Sequence, residues 1–225
     1  MPCILSKDLV VSESSLRITE IFYSLQGEAN QVGWPTVFIR LTGCPLRCHY
    51  CDTAYAFTGG ETKTFDAILN MVAQYGAHRV TVTGGEPLAQ KKCGALLTLL
   101  IEAGYHVSLE TSGALSIADI DPRVEKVMDL KTPGSGEMGR NRYENMTHLQ
   151  AQDQVKFVLT DRRDYDWAAA KIKEYKLPAT CDVLFSPSTG QLEARTLADW
   201  ILADRLNVRM QIQLHKMLWG DEQGR

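Results

Sequence analysis

Val37-Phe-Ile-Arg-Leu41 runs straight into Thr42-Gly-Cys44-Pro-Leu-Arg-Cys48-His-Tyr-Cys51-Asp-Thr53. The first five residues are apolar with one charge and read as a buried strand. The next twelve place three thiols within eight residues, directly after the strand ends. The same arrangement recurs downstream. Arg79-Val-Thr-Val-Thr83 is β-branched and reads as strand, and Gly84-Gly85-Glu86-Pro87 follows it without a break. In a parallel α/β sheet, ligands bind at the carboxyl ends of strands. Two chemistry-bearing loops in that position set the reading of the rest of the chain.

Outward from these stretches, strands and helices alternate. Ile18–Tyr23 is strand-like. Phe65–Tyr75 carries Phe65, Ile68, Leu69 and Val72 at helical spacing, with Thr64 as cap and Gly76 as stop. Cys93, Leu96, Leu97, Leu100 and Ile101 mark one face of a second helix. Strands are expected at His106–Glu110, within Val124–Leu130, at Val155–Thr160, at Val183–Phe185 and at Arg209–Leu214. Helices are expected at Trp167–Lys176 and, from a capping box at Thr196–Asp199, up to Leu206. This pattern implies a parallel sheet with right-handed crossovers. Six or seven units fall short of the eight that close a TIM barrel. The expected fold is therefore α/β, a partial TIM-like barrel of about six parallel βα units, with a doubly wound sheet as the alternative. One domain spans residues 1–225, with an N-terminal extension at 1–17 and a polar tail at 220–225. Gly139–Gln152 lacks periodicity and reads as a helix, a mobile flap or a dimer contact.

Composition bounds the function. The chain has 225 residues, is 44% apolar and 23% charged, and carries a net charge of −3. That excludes a disordered chain and gives no basic field for nucleic acid or an anionic membrane. No apolar run is long enough for a transmembrane helix, and Met1–Val11 lacks a secretory h-region. A cytoplasmic location is expected. Six cysteines are present, but clustered thiols in a cytosolic chain indicate metal or redox chemistry rather than disulfides.

Three thiolates spaced C-x3-C-x2-C suit three irons of a [4Fe–4S] cluster, leaving one iron open to another ligand. A zinc site using His49 and a redox C-x2-C pair are the competing readings, the first implying a zinc-stabilised binding module. Cys93 fits a helix core, and Cys3 or Cys181 stays open as a distant fourth ligand. The two glycines of the second loop permit close backbone approach of a ligand.

Cys44-x3-Cys48-x-Tyr50-Cys51 resembles the signature of radical S-adenosylmethionine enzymes, and Gly84-Gly85-Glu86-Pro87 is similar to their segment for the methionine amino group. The resemblance implies a 4Fe–4S cluster on Cys44, Cys48 and Cys51. It implies S-adenosylmethionine near Tyr50, Cys51, Asp52, Gly84, Gly85, Glu86, Thr111, Ser112, Asp129, Lys131 and Ser186. Three further features resemble the 7-carboxy-7-deazaguanine synthase family: Leu25-Gln26-Gly27-Glu28 before the cluster, Arg40 at the end of its strand, and Asp52-Thr53 after it. Gln213-x-His215-Lys216 joins them.

That resemblance implies conversion of 6-carboxy-5,6,7,8-tetrahydropterin to 7-carboxy-7-deazaguanine with loss of ammonia, a step of queuosine and 7-deazapurine biosynthesis. The cofactor's radical would take the C6 hydrogen, and the pyrazine ring would then contract. A guanidinium matches the substrate carboxylate as a bidentate fork, so Arg40 is assigned to it. Leu25, Gln26, Gly27, Glu28, Thr83, Glu110 and His215 are assigned to the rest of the substrate, and Thr53 to a Mg²⁺ ion. A flavodoxin-type reductant and a homodimer are also implied. A glycyl-radical activase is the nearest rival; it would share the cluster but have no use for Arg40, Gln26 and Thr53. Some relatives end shortly after the His-Lys segment and place their terminal carboxylate near the substrate. Trp219–Arg225 continues past that point.

Overall fold

The computed structural model describes residues 14–225; Cys3 and most of the expected N-terminal extension lie outside them. Nine strands form one sheet: β1 (Ser15–Leu25), β2 (Pro35–Leu41), β3 (Glu61–Thr64), β4 (Arg79–Gly84), β5 (His106–Thr111), β6 (Glu125–Asp129), β7 (Gln154–Leu159), β8 (Asp182–Pro187) and β9 (Arg209–Met210). Their order is β3-β1-β2-β4-β5-β6-β7-β8-β9. From β2 onward every pairing is parallel, whereas β1 runs antiparallel to both β2 and β3. The edges β3 and β9 do not pair, so the barrel is open, as expected for a partial barrel.

The α-helices are α1 (Phe65–Gln74), α2 (Cys93–Glu102), α3 (Arg162–Tyr175), α4 (Ala194–Asp204) and α5 (Leu214–Trp219). Only four of them cross between parallel strands. The β5–β6 and β6–β7 connections carry no α-helix, which corrects the expected run of βα units. The second of these contains Gly139–Gln152. It is neither helix nor free flap but a set of 3₁₀ turns tied into the fold. Asn141 exchanges two hydrogen bonds with the Lys131 backbone, and buried Asn145 binds the backbone of Gly113, Leu115 and Ile117.

Alternation along the strands divides two environments. Val37, Ile39 and Leu41 of β2, Val80 and Val82 of β4, and Val107 and Leu109 of β5 pack outward against α1 and α2. Val155, Phe157 and Leu159 of β7 pack with Phe185, Tyr165 and Ile172 in a second core under α3 and α4. Burying such side chains stabilises by about 1.5–3 kcal/mol each. The alternate residues face inward: Phe38 and Arg40, Thr83, Glu110, Val127 and Asp129, Lys156 and Val158. Strand period two therefore gives β2, β4 and β7 an apolar outer face and a cavity-facing inner one.

Several boundaries differ from expectation. β1 begins at Ser15, inside the supposed extension, because Ser15–Ile18 pair with β3. β3 itself is four polar residues on an edge, with no alternation to reveal it. Helix α3 starts at Arg162, where Asp161 accepts a hydrogen bond from Asp164 N; its polar first turn hides it in the sequence. The Thr196–Asp199 capping box is not used, since α4 begins at Ala194. The last strand stops at Met210. Beyond it the chain leaves β8, and Leu214 N donates to Gly27 O as α5 begins.

Candidate active site

A cavity of about 460 Å³ opens at the carboxyl ends of the parallel strands. Cys44, Cys48 and Cys51 lie on its wall, all three as free thiols. Burial pushes the Cys44 thiol up and the Cys48 thiol to about 11. Gly43 N bonds Ala56 O and Glu86 N bonds Gly43 O, so the cysteine loop and the glycine loop brace each other. Their backbones touch: a Cβ at Gly85 would lie 2.4 Å from Gly43 O and 2.6 Å from Cys44 Cβ.

Among the described residues no three His, Cys, Asp or Glu side chains converge on one ion. His49 instead packs against Gly136, whose Cβ would lie 2.8 Å from its ring. A cuboidal cluster needs no such convergence, because each thiolate binds its own iron. Cys181 and Cys93 sit in the outer cores, away from the cavity.

Most residues assigned to the nucleotide cofactor reach the wall: Tyr50, Asp52, Gly84, Gly85, Thr111, Ser112, Asp129 and Lys131. Lys131 Nζ lies 2.8 Å from Asp129 Oδ2, while the buried Asp129 Oδ1 has no hydrogen-bond partner. An orphaned buried acceptor is costly, so this atom suits a donor on a bound molecule. Two residues assigned to the cofactor lie behind the wall. Glu86 is fully buried and does not line the cavity. It accepts bonds from Leu88 N, Thr111 Oγ1, Ser112 N and Ser112 Oγ, and so fixes the strand end that forms the wall. Ser186 is also buried behind the wall, which Ser188 and Thr189 form instead.

The other half of the cavity is lined by Leu25, Gln26, Gly27, Glu28, Arg40, Thr83, Glu110 and His215. Arg40 Nε donates to Glu20 Oε1 at 2.7 Å, and Tyr55 OH donates to the same oxygen at 2.8 Å. The guanidinium lies 5.7 Å from the Phe22 ring centre and 5.8 Å from that of Tyr55. One nitrogen is thus spent on Glu20, and the two Nη groups remain for a ligand carboxylate. Gly27 is pinned under His215, with Nδ1 2.1 Å from where a Cβ would stand. Burial lowers the His215 pKa, partly opposed by Glu28 and Asp52, which favours the neutral imidazole. Thr53 Oγ1 donates to Asp52 Oδ1 at 3.1 Å on the rim.

Sequence reasoning missed Glu20, Tyr55 and Lys156, and quoted Gln213 only as part of the Gln213-x-His215-Lys216 segment, with no role of its own. Lys156 carried a signal: a lone charge in the strand VKFVLT, whose neighbours bury both faces. It bonds Glu28 Oε2, while Gln213 Nε2 donates to Glu28 Oε1 at 2.7 Å. The tail Gly220–Arg225 reaches the cavity as well.

An open parallel barrel with three cysteines and a Gly-Gly loop at its strand ends defines a radical S-adenosylmethionine enzyme, and the Radical SAM superfamily model matches residues 38–132. A 7-carboxy-7-deazaguanine synthase from Chlorobaculum tepidum is 44% identical over 214 residues, 94% of this chain and 97% of that protein. Another, from Koribacter versatilis, is 38% identical over 222 residues, 92% of this chain and 98% of that protein. The crystal structure of QueE from Escherichia coli aligns with TM-score 0.76 at 22% identity, covering 94% of this chain and 100% of that chain. The chain belongs to the 7-carboxy-7-deazaguanine synthase family. Membership implies a 4Fe–4S cluster and S-adenosylmethionine, which the thiols, the Gly85 contact and Asp129 Oδ1 fit. Among the described residues no helix is long and apolar enough to cross a membrane.

Proposed function

We propose that this chain converts 6-carboxy-5,6,7,8-tetrahydropterin to 7-carboxy-7-deazaguanine with release of ammonia. The observation that carries the reading is that the three thiols, the Gly-Gly loop, Arg40 and Glu110 all border one cavity. When bound, the cluster would supply one electron to the S-adenosylmethionine sulfonium, and the carbon radical left when its C–S bond breaks would take the substrate hydrogen. The protein's own work is to position and to match charge. Cys44, Cys48 and Cys51 hold the cluster. Gly84 and Gly85 let the cofactor approach the backbone, and Asp129 Oδ1 accepts one of its donors. Arg40, oriented by Glu20 and clamped by Phe22 and Tyr55, receives the substrate carboxylate.

Gln26, Thr83, Glu110 and neutral His215 face the rest of the ring. Thr53 offers a hard hydroxyl oxygen for Mg²⁺, which prefers oxygen ligands and keeps several waters. The Arg40 guanidinium on the wall of the cavity that holds the three thiols favours this activity over a glycyl-radical activase, which would not require it. A homodimer, a flavodoxin-type reductant and a cytoplasmic location complete the proposal.

The test is an anaerobic assay of reconstituted protein with the carboxytetrahydropterin, S-adenosylmethionine, Mg²⁺ and dithionite. Product should form with the wild-type chain and not with Cys44→Ala. Absence of product from protein with an intact cluster rejects the assignment.

A further inference from the structure

The inner faces of β5, β6 and β7 carry more carboxylate than cation. Arg40 bonds Glu20 through Nε, and Lys131 bonds Asp129. Lys156 is left to serve both Glu28, which it hydrogen-bonds, and Glu110, whose Oε2 lies 3.6 Å away. Glu28 is saturated, with Gln213 on its other oxygen. Glu110 is not: no hydrogen bond from the described residues reaches its carboxylate, although it lines the cavity.

We propose that Lys156 is a positioning residue for recognition. Its single ammonium locks Glu28 against Gln213 and holds Glu110 open to the cavity as an ionised acceptor for paired N–H donors on the ligand. The edge of a 2-amino-4-oxopyrimidine presents such a pair, so the inference rests on the pterin reading above and adds the residue that sets its selectivity. Two close carboxylates without a cation cannot both ionise easily. Lys156 is what permits it.

The charges of Glu28 and Lys156 agree with the geometry, while Glu110 is held above the ordinary carboxylate range and depends on Lys156 to ionise. Burial would push Glu28 up, but the Lys156 ammonium and the bonds from Lys156 and Gln213 bring it down to about 2. Burial raises Glu110, with Lys156 and Arg40 opposing and Glu28 and Asp129 assisting. Burial would lower Lys156, but Glu28, Glu110 and Asp129 carry it well above the ordinary lysine value. His215 faces Glu28 from α5 and completes the set.

The experiment uses cluster-loaded enzyme and compares wild type, Lys156→Met and Lys156→Arg from pH 6 to 9. Substrate-independent cleavage of S-adenosylmethionine by dithionite-reduced enzyme serves as control for cofactor assembly. Lys156→Met should keep that cleavage and raise KM for the pterin roughly 10- to 100-fold, the effect of losing a charged hydrogen bond, with a much smaller change in kcat. Its KM should improve as pH rises, because the uncompensated carboxylates then release the proton they share. Glu28→Gln added to Lys156→Met removes the competing carboxylate and should restore a flatter profile.

Lys156→Met with wild-type KM and pH profile overturns the proposal, as does Lys156→Arg, charge retained, with a profile shifted like that of Lys156→Met. Should Lys156→Met fail to assemble, the Lys156→Arg profile decides. Wild-type enzyme that does not turn over the pterin at all refutes the underlying reading instead.

Discussion

Gly85→Ala is the most direct test of how the two loops hold each other. Gly85 is not among the residues with positive φ, so an alanine there suffers no backbone strain and the effect is purely steric. Its Cβ would meet Gly43 O at 2.4 Å, Cys44 Cβ at 2.6 Å and Gly43 C at 2.9 Å. None of these is the end of a flexible side chain, so the loops must separate. Overpacking of this kind costs about 1–3 kcal/mol. Separation also strains the Glu86 N–Gly43 O bond of 2.9 Å, worth about 1 kcal/mol. Together the expected loss is about 2–4 kcal/mol, a fall in Tm of roughly 4–16 °C for a chain of this size.

The assay is anaerobic thermal unfolding, with iron per chain measured after reconstitution. Gly94→Ala provides the contrast. It lies in α2 with its nearest atom 3.8 Å away, and should stabilise by about 0.4–1 kcal/mol. Gly85→Ala protein that melts like wild type and loads iron fully would refute the idea that these backbones are locked in contact.

Glu20→Gln should raise the KM for the carboxytetrahydropterin by loosening Arg40, and Arg40→Ala should raise it further, about 10- to 100-fold; equal KM values for wild type and Arg40→Ala would remove Arg40 from the site. Thr53→Ala should shift the Mg²⁺ concentration giving half-maximal rate upward, whereas an unchanged Mg²⁺ titration places the ion elsewhere. Glu28, held near 2 against an ordinary 4.5, contributes stability that is full above about 4.5 and lost as pH falls toward 2. The stability gap between wild type and Glu28→Gln should therefore narrow across that window in acid unfolding experiments, and a constant gap would count against the Lys156 pair.

The cofactor half of the site was legible because it is local. Cys44 to Cys51 and Gly84 to Glu86 each sit in one loop after one strand, and their spacing carries the chemistry. Glu86 stands apart, because its bonds to Thr111 and Ser112 join two loops and have no spacing to read. The substrate half depends on partners far apart in the chain. Glu20 finds Arg40 across the β1–β2 pair, and Glu28 finds Lys156 and Gln213 across the barrel. Neither partnership has a spacing to read. The edge strand β3 and the start of α3 were hidden for another reason: both are polar at the surface, so no apolar period marks them. The short β9 was overextended because residues 211–214 look strand-like until tertiary bonds to Gly27 and Ala29 pull them away.

Those last bonds bear on the order in which the molecule is made. Ala29 N binds Gln211 Oε1 and Glu28 binds Gln213, contacts spanning 182 and 185 residues. Contacts this distant in sequence form late in folding, and a nascent chain emerges N-terminus first. The glycine loop and the Glu86 clasp on Ser112 need nothing beyond the first half of the chain, and the cysteine loop draws further only on Ser135–Glu137, through His49 N to Ser135 O and Arg47 N to Glu137 Oε1. Glu28 meets Lys156 first, but Gly27 and Glu28 must wait for Gln213 and His215 before the pocket closes over them. The cysteine and glycine loops can therefore meet before residues 211–215 are made, whereas the pocket around Gly27 and Glu28 cannot close without them.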